Sequence, residues 1–331
     1  MRFTTRVQLP KDTMLITHST QIMLLGSCFV QNIGERMRGC KLSVDINPYG
    51  ILYNPLSIAE ALKRIVSGEP YGNSSPEFFE HNDCWHSIMH HSDFSRATKD
   101  EAIAAANSRL LDAHRRFLGL DLLMLTFGTA YVYRSAADGS VVGNCHKLPQ
   151  KMFVRELLTV DDIVDGMRSV IASMLAVRPS LKILFTVSPI RHLRDGAHDN
   201  QISKATLLLA IEELRRRFPD NTFYFPSYEI VLDELRDYRF YADDMVHPST
   251  VAVEYLWQCF AECYFDAGTM RLNEAVDDIM RALAHRPADA ASARHKAFLQ
   301  KTVEKMVALK KENPVLDFEK EIQQCNILLE K

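Results

Sequence analysis

The chain contains no run that approaches the ~20 apolar residues a membrane-spanning helix needs. Its first residues, Met1-Arg2-Phe3-Thr4-Thr5-Arg6, lack the long apolar stretch of a secretory leader, so a cytoplasmic protein is expected. The seven cysteines are odd in number, scattered, and form no Cys-x-x-Cys pair, which fits reduced thiols better than a disulfide framework. The formal net charge of −3 offers no general attraction to nucleic acid or to an anionic membrane, and neither is expected as a partner. Internal repeats and low-complexity tracts are also missing. What remains is the composition of an ordinary soluble globular protein, 47% hydrophobic and 24% charged. With 331 residues it can bury a large core, as one big domain or as one domain plus an appendage.

Short apolar runs at 21–25, 42–46, 121–127, 181–187 and 222–226 read as buried parallel strands. Helical patterns lie between them at 55–67, 100–117, 159–176 and 201–217, and strand-helix alternation implies a parallel sheet covered on both faces. Tyr131 to Arg134 and Val141 to Asn144 flank Ala137-Asp138-Gly139 as a hairpin excursion. Segment 69–98, rich in Pro, Gly, Ser, Asn and His, reads as a long inserted loop. After residue 267 the pattern becomes charged, helical and nearly free of glycine, over 271–286, 288–311 and 315–329. The expected division is a main domain at 1–267 and a C-terminal helical appendage at 268–331, which wraps the core or forms a homodimer contact.

Three polar turns, Gly26-Ser27, Gly128-Thr129 and Ser188-Pro189, each follow an expected strand directly. In open α/β sheets ligands bind outside the carboxyl ends of the strands, so a site on that rim is expected from topology alone. Ser27 stands at a strand-to-helix turn, where a hydroxyl is exposed and helix N–H groups face a developing oxyanion. A helix N-cap is the other role of serine at such a place. Downstream, Asp244-Met245-Val246-His247-Pro248 puts a carboxylate one turn from an imidazole, able to fix its tautomer while the other ring nitrogen faces a nucleophile. Asp243 is the alternative partner, and Pro248 suits the first position of a following helix. Cys28, beside Ser27, is a second candidate nucleophile but is expected to pack inward.

A dense cluster, His81, Asp83, Cys84, His86, His90 and His91, invites a metal reading, with His86 and His90 at helical spacing. No His-Glu-x-x-His pattern supports it, and the preferred reading has no metal: Trp85 and His91 line a substrate-facing loop. His146 with Lys147, and Arg191 with His192, are candidates for binding an anionic or hydroxyl-rich substrate.

Taken together, these residues resemble the SGNH/GDSL hydrolase superfamily and, more closely, the GSCFA family. The motif of that name reads here Gly26-Ser27-Cys28-Phe29, with Val30 in the last place. Other matching segments are Asn47-Pro48-Tyr49-Gly50-Ile51, Tyr53-Asn54-Pro55, Trp85, His91-Ser92 and Phe127-Gly128-Thr129-Ala130-Tyr131. Further along come Asn144-Cys145-His146-Lys147, Ser188-Pro189-Ile190-Arg191-His192 and Asp244 to Pro248, so the resemblance covers about residues 1–265.

The resemblance implies an SGNH-like three-layer α/β/α fold with a parallel central sheet. It implies a serine hydrolase or acyltransferase with Ser27, His247 and Asp244 as triad and no cofactor, and the substrate is a small acyl ester such as acetyl on a carbohydrate or polyol. It makes the Ser27 and Gly50 N–H groups oxyanion donors. The superfamily's third donor is an Asn in a Gly-x-Asn-Asp block, but here the stretch reads Gly128-Thr129-Ala130-Tyr131, which leaves Thr129, Asn54 or Asn144 as substitutes. Two rivals stand beside this: a non-catalytic ligand-binding module, and a metal-dependent hydrolase using the histidines of 81–91.

Overall fold

The computed structural model describes residues 4–10, 14–285, 287, 289 and 292–329. The first three residues of the chain, and parts of the expected helical patterns at 286–291, lie outside the described residues. The chain begins with β1 (Ile22–Gly26), α1 (Cys28–Gly39), β2 (Val44–Ile46) and α2 (Pro55–Ser67). The segment 69–98 then forms β3 (Phe78–His81) and β4 (Cys84–Ser87), followed by α3 (Lys99–Leu118) and β5 (Leu122–Phe127). Next come β6 (Tyr131–Ser135), β7 (Val141–Val142), β8 (Phe153–Leu157), α4 (Val160–Val177) and β9 (Lys182–Val187). α5 (Gly196–Arg217), β10 (Thr222–Tyr224), the single turn α6 (Ser227–Glu229) and α7 (Thr250–Tyr264) complete this part, and α8 (Ala267–Ala284), α9 (Ala293–Glu312) and α10 (Glu319–Leu329) end the chain.

Five strands form one parallel sheet in the order β10-β9-β5-β1-β2. Every residue of β1 and β5 is buried, as a sheet covered on both faces requires. Met23, Leu25, Leu123, Leu125, Ile183 and Phe185 share one core with buried residues of α2, α3, α4 and α5. On α7, Phe260 meets Phe225, just past β10, edge to face. The α/β/α arrangement is the one expected. Local chemistry explains the helix starts. Asn54 caps α2 ahead of Pro55, and Thr98 with Glu101 and Thr159 with Asp162 form reciprocal capping boxes on α3 and α4. Each such cap is worth about 1 kcal/mol.

Two expectations are revised. Segment 69–98 is not a bare loop, because Phe78 to His81 and Cys84 to Ser87 pair as an antiparallel hairpin whose Phe78 joins the main core. The excursion after β5 is larger than a hairpin, because β8 pairs with β6 to make a second sheet of order β7-β6-β8. Neither pairing has a local turn signal as strong as the main strands' apolar runs.

The described residues of 1–12, 21–34 and 44–263 form one compact unit, and those of 13–20, 35–43 and 264–331 form a second. The second unit has its own apolar cluster, built from Val276, Ile279, Leu299, Met306, Leu316, Phe318 and Cys325. Among the described residues no helix is long and apolar enough to cross a membrane.

Candidate active site

The strand order reverses between β1 and β5, since β2 lies on one side of β1 and β5 on the other. The crevice beyond the carboxyl ends of two such strands is where parallel sheets bind ligands. There the chain forms a cavity of about 630 Å³. Ser27, Thr129 and Ser188, from the turns after β1, β5 and β9, all line it, and so do Asp244 and His247.

The turn that carries Ser27 is held from outside. Gly26 has φ +147°, and a Cβ there would overlap the Thr126 carbonyl, so only glycine fits. Its N–H donates to Asn47 Oδ1 at 3.0 Å and its carbonyl accepts from Leu52 N–H at 3.1 Å. Ser27 is 2% exposed. The Phe29 N–H approaches its Oγ at 3.4 Å, and Val30 N–H bonds its carbonyl at 3.0 Å, so the residue also caps α1. Cys28 does not pack inward as expected: it lines the cavity beside Ser27, with its Sγ 3.7 Å from the Tyr53 hydroxyl. Burial and that neighbouring thiol push the Tyr53 phenol up to about 12.

Asp244 and His247 sit on a loop closed by Ala242 N–H to His247 carbonyl (2.8 Å) and Ser249 N–H to Phe240 carbonyl (2.8 Å). Asp244 Oδ1 accepts the N–H groups of Val246 and His247, each at 2.9 Å, and Oδ2 accepts His247 Nδ1 at 2.6 Å. These bonds, the His247 and Val246 N–H groups foremost, hold the Asp244 carboxyl down to about 2. The carboxylate therefore fixes the tautomer and leaves Nε2 as the free ring nitrogen. Both side chains are half exposed. Among the described residues Asp243 has no bond to His247, and Ser27 Oγ has none to His247 either. Pro248 is not the first residue of α7; it bridges Tyr241, and the Ser249 hydroxyl accepts from Ala252 N–H at 3.3 Å ahead of the helix.

The expected oxyanion donors separate. Gly50 does not line the cavity. Its N–H is donated to the Asn47 carbonyl at 2.7 Å, and with φ +75° it packs where a Cβ would overlap His91. The Asn47-to-Gly50 block thus braces the Ser27 turn, and Gly50 is corrected from donor to support. Thr129 lines the cavity, but its N–H bonds the Tyr53 carbonyl (3.1 Å) and its hydroxyl meets Ser203 (3.2 Å) and accepts Tyr131 N–H (3.1 Å). Asn54 also lines it, with both amide atoms engaged by Ser57. Asn144 is different. Its Oδ1 accepts the His146 N–H at 2.9 Å, while its Nδ2 has no protein partner among the described residues.

Of the expected substrate contacts, His91 and Arg191 line the cavity, and Trp85 and His146 do not. Trp85 packs against the main core beneath the Lys99 ammonium, and its N–H and carbonyl pair with Arg96. His146 Nε2 reaches the Ser87 carbonyl at 2.8 Å, its ring 4.7 Å from that of His86. His86 is held by Ser95 and the His81 carbonyl, and His90 by Ser87 while stacked on Tyr49. These histidines knit the insertion together. Among the described residues no group of three or more His, Cys, Asp or Glu is placed to hold a metal ion.

Residues 21–260 match the GSCFA family, and residues 276–331 match the GSCFA domain protein, C-terminal domain. The chain belongs to the GSCFA family. This GSCFA chain is also similar to two solved structures, both at a TM-score of 0.33. One is a carbohydrate esterase family 3 protein from Talaromyces cellulolyticus, 10% identical, with 78% of this chain and 99% of that one covered. The other is a Clostridium thermocellum family 3 carbohydrate esterase, 12% identical, with 78% and 98% covered. No curated protein matches it.

Several cavity residues of this GSCFA protein carried no sequence signal. Tyr133 and Arg155 come from β6 and β8, and Arg194 and Asp195 from the turn before α5. Beneath them Lys204 is 1% exposed and donates to the Gly128 and Ser188 carbonyls at 2.6 and 2.7 Å, tying together the turns after β5 and β9. One clue to it was visible: a lysine on the face of α5 that also carries Asn200, Ser203, Leu207, Ile211 and Leu214. His192 is driven down to about 4 by burial, with the Lys204 charge adding to it, and enters neutral at pH 7.

Proposed function

We propose that this cavity hydrolyses or transfers a small acyl ester by serine nucleophilic catalysis. Ser27 Oγ attacks the ester carbonyl carbon while its proton passes to His247 Nε2, and Asp244 stabilises the imidazolium. The tetrahedral oxyanion collapses, the alkoxide leaves with the proton from His247, and acyl-Ser27 remains. Water, or an acceptor hydroxyl in the transferase case, repeats the attack and frees the acid or the new ester. The Ser27 N–H and the unengaged Asn144 amide are the oxyanion donors in this reading. An acetyl group on a carbohydrate or polyol is the substrate class, on the family resemblance.

The observation that carries the reading is the Asp244–His247 pair, bonded at 2.6 Å and lining the same cavity as Ser27. The open Ser27–His247 gap is compatible with it, because catalytic hydrogen bonds often tighten only when substrate is bound. One observation favours a binding module instead: the Gly50 and Thr129 N–H groups are engaged internally, which leaves few oxyanion donors. A fluorophosphonate probe separates the two. Labelling of Ser27, with labelling and 4-nitrophenyl acetate hydrolysis both lost in Ser27→Ala, supports the hydrolase. Hydrolysis unchanged in Ser27→Ala ends it.

A further inference from the structure

We infer that the cavity recognises a substrate bearing an anionic group, a carboxylate or a phosphate, through Arg155, Arg191 and Arg194. The inference rests on the reading of this cavity as an ester site. Among the described residues all three arginines line the cavity, together with only two acidic residues, Asp195 and Asp244. Both carboxylates are already used. Asp195 pairs with Arg155, and Asp244 is occupied by His247 and the Val246 N–H. Arg194 is held by a neutral partner, donating from Nη1 to the Tyr133 hydroxyl at 2.7 Å. Among the described residues neither Arg191 nor Arg194 has a carboxylate partner. His192, the nearby imidazole, is neutral at pH 7 and balances nothing. Two uncompensated guanidiniums therefore share one concave wall with a third that is anchored.

The wall is also ordered before any ligand arrives. The Arg155 guanidinium lies 3.7 Å from the Tyr131 ring centroid and 5.9 Å from that of Tyr133. With Asp195 holding Nη2, its orientation is set from two sides. A guanidinium so placed binds a planar carboxylate or a phosphate with little further loss of rotamer freedom. The same stacking occupies one face of Tyr131, which makes a charged ring or chain a better match to this wall than an uncharged sugar stacked on bare tyrosine.

The test compares 3-acetoxybenzoate, 3-acetoxyphenyl phosphate and the uncharged 3-acetoxybenzamide, following release of the phenol. At low salt, kcat/KM is expected to favour at least one anionic ester by about tenfold or more. Added salt, Arg191→Gln and Arg194→Gln should each move that ratio toward one, while Arg168→Gln on α4, outside the cavity, should keep it. Whichever anion wins identifies the carboxylate or the phosphate source. Equal kcat/KM for all three compounds in the unaltered protein overturns the inference, and that result needs no variant to fold. Calorimetric binding of the same three compounds to Ser27→Ala keeps this separate from the hydrolase reading. Tighter binding of an anionic compound without turnover by the unaltered protein sustains the anion site and removes the hydrolase; labelling of Ser27 with no anion preference does the reverse.

Discussion

Replacing Lys204 by methionine removes the one amine that ties the turns after β5 and β9, and the structure sets how its effect should vary with pH. Lys204 Nζ donates to two carbonyls, yet burial pulls its pKa from 10.5 down to about 7. Its loss takes a donor from both acceptors, at about 1–3 kcal/mol each, and relieves the several kcal/mol of burying an ammonium. Those terms oppose, so the sign of the change at one pH decides little. The pH dependence decides more. Between pH 7 and 10.5 the unfolded chain holds the lysine proton and the folded chain releases it, so stability from this group rises with pH and is lost as pH falls through 7. Integrated from pH 7 to pH 9, the difference is about 2 kcal/mol in favour of the unaltered protein relative to Lys204→Met. Two titrating neighbours of Lys204 lie outside that window: burial drives His192 down to about 4 and raises the Tyr228 phenol. Urea unfolding of both proteins at pH 7, 8 and 9 measures it. Parallel stability curves would mean that Lys204 keeps one protonation state throughout, and the burial argument would fail.

Asp244→Asn keeps the shape of the loop but removes the charge that orients His247, so kcat should drop by about 10³–10⁴ with KM little changed; steady-state kinetics showing the larger loss for Asp243→Asn would reverse the assignment. Trp85→Ala should lower stability by about 2–3 kcal/mol, because the ring packs on the core. Its KM should stay as it was, since the ring does not line the cavity; a raised KM with unchanged Tm would restore Trp85 to the substrate wall.

The legible parts of this chain share a short range. The strands at 22–26, 122–127 and 182–187 are apolar along most of their length, so they could only be buried between two layers. Segment 78–87 resisted the same reading because its pattern is mixed: Phe78 and Ser87 are buried while Glu80 is exposed, and the hairpin is stabilised by histidine contacts that no period announces. Its polar residues suggested a substrate-facing wall or a metal cluster, and the structure spends most of them on holding the segment itself.

Ser27 after a buried strand, and Asp244 three residues before His247, are arrangements that the chain dictates locally. A strand-to-helix turn sets its serine at the carboxyl end of the strand, and an i, i+3 pair in a tight loop meets whatever the rest of the fold does. The partners of the site were settled at long range. Gly50 and Asn144 both stand in turn-like stretches of the sequence, but only the packing of Asn47 under Gly26 and of His91 against Gly50 withdraws one from the cavity and leaves the other facing it. Arg155 and Arg194 come from different elements and both approach Tyr133, because β8 pairs with β6 in a register that sets Tyr133 opposite Arg155. Lys204 is buried because α5 docks over two turns whose carbonyls accept its ammonium. Such contacts depend on how distant segments register against one another, and residue type and spacing carry no term for that.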